Sequence, residues 1–224
     1  MAHVLNSTPE RNTFNAFDIT GKEYALLLPF FAFYVIITIL VSHNPFFWDK
    51  DILFSKIAFW LLDHKFSLVL PDSLDAGYPP LLGYLLALVW LIAGKSLWTM
   101  HFMMLPFSIG IVIELYRFLR YYMPSHAIRP VMILVLAETT LLTQSVVFSP
   151  DLVMIYFLLL ALNAILFNKR ILLSVAVFGL LFSHNYIKRI KFAFQLFRVT
   201  FINIPQQYRH THIVRKDTHH TRQH

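Results

Sequence analysis

Apolar positions run almost unbroken through six stretches of the chain, at about 24–42, 81–93, 97–119, 130–148, 152–167 and 171–187. A helix rises 1.5 Å per residue, so about 20 apolar residues are needed to cross roughly 30 Å of hydrocarbon. Most of these stretches approach that length. The stretch from Leu81 to Ala93 does not, because its 13 residues rise only about 20 Å. It cannot be lengthened backwards as helix, since Tyr78 precedes Pro79 and Pro80 and a residue before proline is pushed out of the helical region. The pattern predicts an all-α, polytopic transmembrane helix bundle of about five spans, in which 81–93 stays in a long first outer loop.

Charge gives an independent reading of the same segment, because Lys and Arg near membrane ends are retained on the cytoplasmic side. With a cytoplasmic N-terminus and 81–93 kept out of the count, Arg11, Lys22, Arg117, Arg120, Arg129, Lys169 and Arg170 fall inside. Lys50, Lys56, Lys65 and Lys95 then lie on the 43–96 loop outside. Forcing 81–93 across inverts every later helix and leaves three basic residues inside against eight outside. The non-spanning assignment is favoured. Within the loop, "DILFSKIAFWLLDHKF" sets Ser55 and Lys56 among Ile52, Phe54, Ile57, Phe59, Trp60 and Leu61. That is a short helix with a narrow polar face, expected to lie at the membrane interface with 81–93 as a second juxtamembrane or shallow re-entrant helix.

Composition places the chain in the membrane class: 57% of its 224 residues are hydrophobic, against about 45–50% in soluble domains, and its mean hydropathy is +0.59. The formal charge of +7 belongs to one region. Residues 1–187 hold 11 Lys+Arg and 11 Asp+Glu, whereas 188–224 hold eight Lys+Arg, the single Asp217 and five His. Two regions follow, a membrane domain over 1–187 and a basic, His-rich tail over 188–224. From residue 205 on, the tail has no periodic apolar face and reads as disordered or non-native sequence. The absence of Cys excludes disulfides, thiolate metal sites and Cys nucleophiles. The first apolar run ends in "VSHNPFF", not in a small-residue cleavage pattern, so helix 1 is expected to be a retained anchor.

Candidate chemistry gathers on the outer side. Asp49 follows "NPFFW" just beyond helix 1, and Asp151 follows Pro150 at the mouth of a later helix. A partly desolvated carboxylate at the interface can act as general base toward an acceptor hydroxyl; it can equally be a helix-start carboxylate, and Asp151 before "LVMIYF" suits a cap. Glu138 in "LAETTLLTQ" falls near the middle of a predicted span, where an ionised group marks a polar pathway or a paired partner. His101 and Gln144 are its conceivable partners. Glu114, three residues before Arg117, reads as a local ion pair. The tail imidazoles could chelate a metal or remain solvated, and the tail's basic residues could meet anionic lipid headgroups. No Gly-rich phosphate loop, zincin helix or nucleophile elbow is present.

The order of motifs adds a family expectation. "WDKD" after the first helix, then "LDAGYPPLLGYLLALVWLIAGKSLW", "MHFMMLPF" and "TQSVVFSPDLVMIYFLLLAL" resemble the first part of the GT-C membrane glycosyltransferases. Within them, the sequence is similar to the branch of protein O-mannosyltransferases and the lipid A aminoarabinose transferase. The resemblance covers about residues 24–183. It implies transfer of a sugar from a polyprenyl-phosphate carrier to a glycan, lipid or protein acceptor on the outer membrane face, with inversion at the anomeric carbon. It implies no cofactor, no metal and no nucleic-acid partner. The bacterial inner membrane is the implied location. Asp49 takes the place of the early-loop catalytic carboxylate, with Asp51 as its alternative, and Asp151 that of the second outer carboxylate. Tyr78, Pro79 and Pro80 would contribute to substrate binding; charge alone, not the resemblance, suggests Lys50 or Lys56 to help neutralise the carrier phosphate. Two departures accompany the likeness: Tyr78 stands where the family has His, and family members are more than twice as long. A truncated, inactive glycosyltransferase is one expectation; a noncatalytic membrane subunit is the alternative.

Overall fold

A computed structural model describes residues 17–45, 49–67, 70, 71, 74 and 81–183, with the backbone alone for 49–52. The described residues form eight helices and no strand: α1 (Gly21–Val41), α2 (Asp49–Asp63), α3 (Leu81–Ala93), α4 (Leu97–Tyr122), α5 (Ser125–Leu136), α6 (Thr139–Val146), α7 (Pro150–Leu166) and α8 (Arg170–Ser183). Two of them, α1 and α4, are long and apolar enough to cross a membrane; α5 and α6 together make a third candidate, bent by 64°. The helices α3, α7 and α8 are shorter apolar helices. The expected all-helical fold is therefore present, with two to three helices long and apolar enough to span a membrane where about five spans were expected.

Helix α4 is the centre of the bundle. Ser96 starts it by accepting the Thr99 N–H at 3.1 Å, a cap that satisfies one of the first-turn donors. Its buried residues, among them Met104, Ile111, Val112, Leu115 and Leu119, meet helices on several sides. Helix α1 buries only Leu27, Tyr34 and Thr38, one narrow stripe, and exposes Leu28, Ile36 and Leu40. An apolar face turned outward over most of a helix suits a lipid solvent.

Cross-helix contacts set the directions. Glu23 at the start of α1 pairs with Arg120 at the end of α4. His101 in the second turn of α4 bonds the Asn44 carbonyl beyond the end of α1 at 3.2 Å. The two helices are thus antiparallel, and the 43–96 connection leaves and returns at one end of the bundle. Helices α4 and α7 run parallel, with Phe107 against Tyr156 and Glu114 against Asn163. Helix α8 folds back on α7 so tightly that a Cβ on Gly179 would fall 2.4 Å from the Phe157 ring. Lys22, Arg117, Arg120, Arg129, Lys169 and Arg170 sit near the helix termini at one end, hereafter the basic end. The other, loop end carries α2 and α3.

The bend between α5 and α6 departs from the continuous helix expected over 130–148. Helix α5 begins earlier, after Pro124, and tolerates Pro130 within it. At Glu138 the backbone turns extended and the carboxylate accepts the Leu141 N–H at 2.8 Å. That side chain offers the backbone a cap in place of the next helical turn. The carbonyl of Leu136 freed by the break receives the Tyr34 hydroxyl at 3.4 Å.

The two loop helices pack on each other as partners. Phe54, Ile57, Ala58 and Leu61 are buried, an i, i+3, i+4, i+7 stripe set against α3. Gly83 permits the approach, since a Cβ there would meet Ile57 Cγ2 at 2.4 Å. Tyr84 donates its hydroxyl to the Ser67 carbonyl at 2.7 Å, tying α3 to the chain after α2.

Candidate functional site

The loop end is assembled by contacts that gather around the start of α4 and the chain before α7. Phe54 of α2 packs edge-on against Phe148, with ring centroids 5.7 Å apart, and both rings are almost fully buried. Ser55 lies 3.9 Å from the Met100 sulfur of α4. His101, also buried, places Nδ1 2.8 Å from the Val146 carbonyl and Nε2 3.2 Å from that of Asn44. One imidazole therefore joins the end of α1 to the end of α6. A residue that fastens two chain ends beside a helix start holds their backbone carbonyls in place, which an aliphatic side chain could not do.

Asp151 lies in the first turn of α7, half-buried. Its N–H donates to the Ser149 hydroxyl at 3.2 Å, so Ser149 is the cap and Asp151 is the acidic residue of the first turn, with Pro150 between them. A carboxylate there gains from the positive end of the helix. Asp49, the other proposed carboxylate, is the first residue of α2. Its side chain and those of Lys50 and Asp51 lie outside the described residues, as do Tyr78, Pro79 and Pro80. Phe54 is five residues beyond Asp49 and Phe148 three before Asp151, so the helix starting at Asp49 and the turn leading to Asp151 meet at one corner. Lys56 on α2 is exposed. Lys95, at the turn into α4, rests over the Phe59 ring at 4.6 Å, a cation–π contact.

The remaining singled-out residues resolve differently. Glu138 is fully exposed at the α5–α6 bend and caps α6; His101, named with it above, instead spans Asn44 and Val146. Glu114 does pair with Arg117, at 2.5 Å, and the pair is extended by Asn163, whose Nδ2 donates to the Glu114 backbone carbonyl and to Oε2, both at 2.7 Å. Among the described residues no group of three or more His, Cys, Asp or Glu is placed to hold a metal. The tail over 184–224 lies outside the described residues. Sequence reasoning gave no role to His101 at the loop end. Its signal was an isolated imidazole in the second turn of a span, the depth at which a polar side chain reaches the neighbouring loops. Comparison with protein-family models, with curated proteins and with solved structures finds no match for the chain.

Proposed function

We propose that the chain forms the front of the active site of a polytopic membrane glycosyltransferase that takes its sugar from a polyprenyl-phosphate carrier at the outer face of a bacterial inner membrane. The observation that carries this reading is the corner where α2, which begins at Asp49, packs through Phe54 onto Phe148 beside Asp151. Two carboxylate-bearing elements far apart in sequence share one end of a bundle that includes membrane-length helices. The motif order supplies the family likeness.

In the proposed reaction Asp49 takes the proton of the acceptor hydroxyl as its oxygen attacks the anomeric carbon. The bond from that carbon to the carrier phosphate breaks with inversion, and polyprenyl phosphate departs with the bonding electrons. Asp51 is the alternative base; Asp151 orients the acceptor, and Lys50 or Lys56 offsets the phosphate charge. Tyr78, Pro79 and Pro80 shape the approach of the donor.

The test uses proteoliposomes containing the chain and a radiolabelled sugar on polyprenyl phosphate. Asp49→Asn should lower transfer about 100-fold, the scale on which a positioned general base acts. Measurable transfer that Asp49→Asn leaves unchanged would remove the assigned role. Where the chain alone does not turn over, as the truncated reading expects, saturable binding of the labelled carrier-linked sugar, weakened by Lys50→Ala with Lys56→Ala, is the readout, and its absence would remove the reading. The second reading, a noncatalytic membrane subunit, is favoured by the exposed polar bend at Glu138. It predicts a stoichiometric partner retained after Asp49→Asn and Asp151→Asn, with neither transfer nor binding of the carrier-linked sugar by any of the three proteins.

A further inference from the structure

The α5–α6 bend exposes what a membrane helix normally hides. Glu138 is fully exposed, and Thr139, Thr140 and Thr143 are exposed beside it. On the α5 side the surface continues as Ile133 and Leu134, 59% and 75% exposed. The depth of this patch is fixed by Tyr34, whose hydroxyl reaches Leu136 two residues before Glu138. Tyr34 stands 13 residues into α1 and seven from its end, roughly 20 Å and 10 Å along the helix. The bend is therefore well inside the slab that α1 defines.

Lipid offers a carboxylate no donor, and ionisable groups at this depth ordinarily face a partner or a water-filled cavity. The Leu141 N–H donates to the Glu138 carboxylate at 2.8 Å, and the Thr140 N–H and the Thr139 and Thr140 hydroxyls add hydrogen bonds to it, but these neutral donors leave its negative charge uncompensated. The two ion pairs among the described residues, Arg117–Glu114 and Arg120–Glu23, do not involve it. A second copy of the chain would bring a like charge to the same spot. We infer that the α5–α6 face is a docking surface for another membrane helix, one that lies along Ile133 and Leu134 and presents a Lys or Arg side chain to Glu138 at the bend. The threonine hydroxyls beside the carboxylate supply acceptors for the remaining donors of that cation. The inference is independent of the glycosyltransferase reading, because the surface does not include the loop end.

The chain contains no Cys, so a single His126→Cys, at an exposed position near the start of α5, takes one fluorescent donor in the full-length protein. The probes are two acceptor-labelled poly-leucine transmembrane peptides in liposomes, one with a central Lys and one with Leu there. Energy transfer should show the Lys peptide associating about tenfold more strongly than the Leu peptide. Glu138→Gln, which keeps an oxygen to cap α6, should reduce the Lys peptide to the level of the Leu peptide, and Glu138→Asp should retain the preference. Equal association of both peptides, or a Lys preference surviving Glu138→Gln, would overturn the inference. So would transfer between donor- and acceptor-labelled copies of the protein that excess Lys peptide fails to displace, since the surface would then belong to a homodimer.

Discussion

The two ends of the bundle are held by different physics. At the basic end, charges answer one another: Glu23 receives Arg120 and the Tyr116 hydroxyl, while Glu114 receives Arg117 and Asn163. Phe17 adds an aromatic face to Arg117 at 4.1 Å and to Lys169 at 5.2 Å. These contacts link α1, α4 and α7 directly, helix to helix. At the loop end the links are ring contacts, Phe54 with Phe148 and Lys95 over Phe59, the Ser55–Met100 contact, and hydrogen bonds between side chains and backbone carbonyls, as at His101 and Tyr84. Charge networks in a low dielectric are hard to rearrange because each member is costly to leave alone. Carbonyl clasps fix backbone position while consuming little charge. The basic end thus has the character of an anchor, and the loop end that of a clasp on the backbone.

The sharpest test of the anchor is Glu114→Ala. It strands the largely buried Arg117 guanidinium and removes one of the two acceptors of Asn163, leaving the backbone carbonyl, a loss expected to cost about 3 kcal/mol. Denaturant unfolding in detergent micelles should show a large fall in midpoint, with Glu114→Gln recovering part of it through the Asn163 contact. A Glu114→Ala protein as stable as wild type would erase the distinction between the ends.

The corresponding test at the loop end is steric. Gly83→Ala drives a methyl toward Ile57, and because both residues are on packed helices the strain should cost on the order of 2 kcal/mol. The loss should be confined to α2 and α3. Hydrogen exchange should quicken in those two helices and stay unchanged in α4 and α7, since local openings follow cooperative units.

That contrast bears on what could be read from sequence. The span of α3, the existence of α2 and the Glu114–Arg117 pair were all legible, because each depends on length, periodicity or an i, i+3 spacing. The bend at Glu138 was not. Apolar residues continue on both sides of it, and one of the contacts that accompanies the break, Tyr34 to the Leu136 carbonyl, joins residues 102 apart in sequence. Asn163 was invisible for the same reason, as its partner Glu114 lies 49 residues earlier. At the candidate site, Ser149-Pro150-Asp151 announced a helix start, although the cap proved to be Ser149. The joining of Asn44 to Val146 through His101 was hidden, since no local pattern records which loops a membrane helix will touch.

His101→Leu isolates that clasp. The imidazole's contacts with the Val146 and Asn44 carbonyls are lost while apolar volume is largely kept, a change worth about 1.5 kcal/mol. Its main readout is faster proteolysis of the 43–80 segment with α4 intact. His101→Asn, whose shorter side chain can reach one of the two carbonyls, should fall between the two. Unchanged proteolysis would mean that the Phe54–Phe148 contact alone holds the corner.

The smallest effect expected is at the rim of the anchor. Arg120 and Glu23 retain 21% and 23% side-chain exposure, so water and ions screen their attraction far more than that of Glu114 and Arg117, at 5% and 15%. Arg120→Gln should therefore cost about 0.5–1 kcal/mol at low salt, and the difference from wild type should shrink as salt rises toward 1 M, where the screening length falls to about 3 Å. Thr20 and Tyr116 still donate to Glu23 in the variant, which leaves its carboxylate with partners and keeps the loss small. A salt-independent loss as large as that of Glu114→Ala would show that the rim is as desolvated as the interior, and that the anchor extends to the first turn of α1.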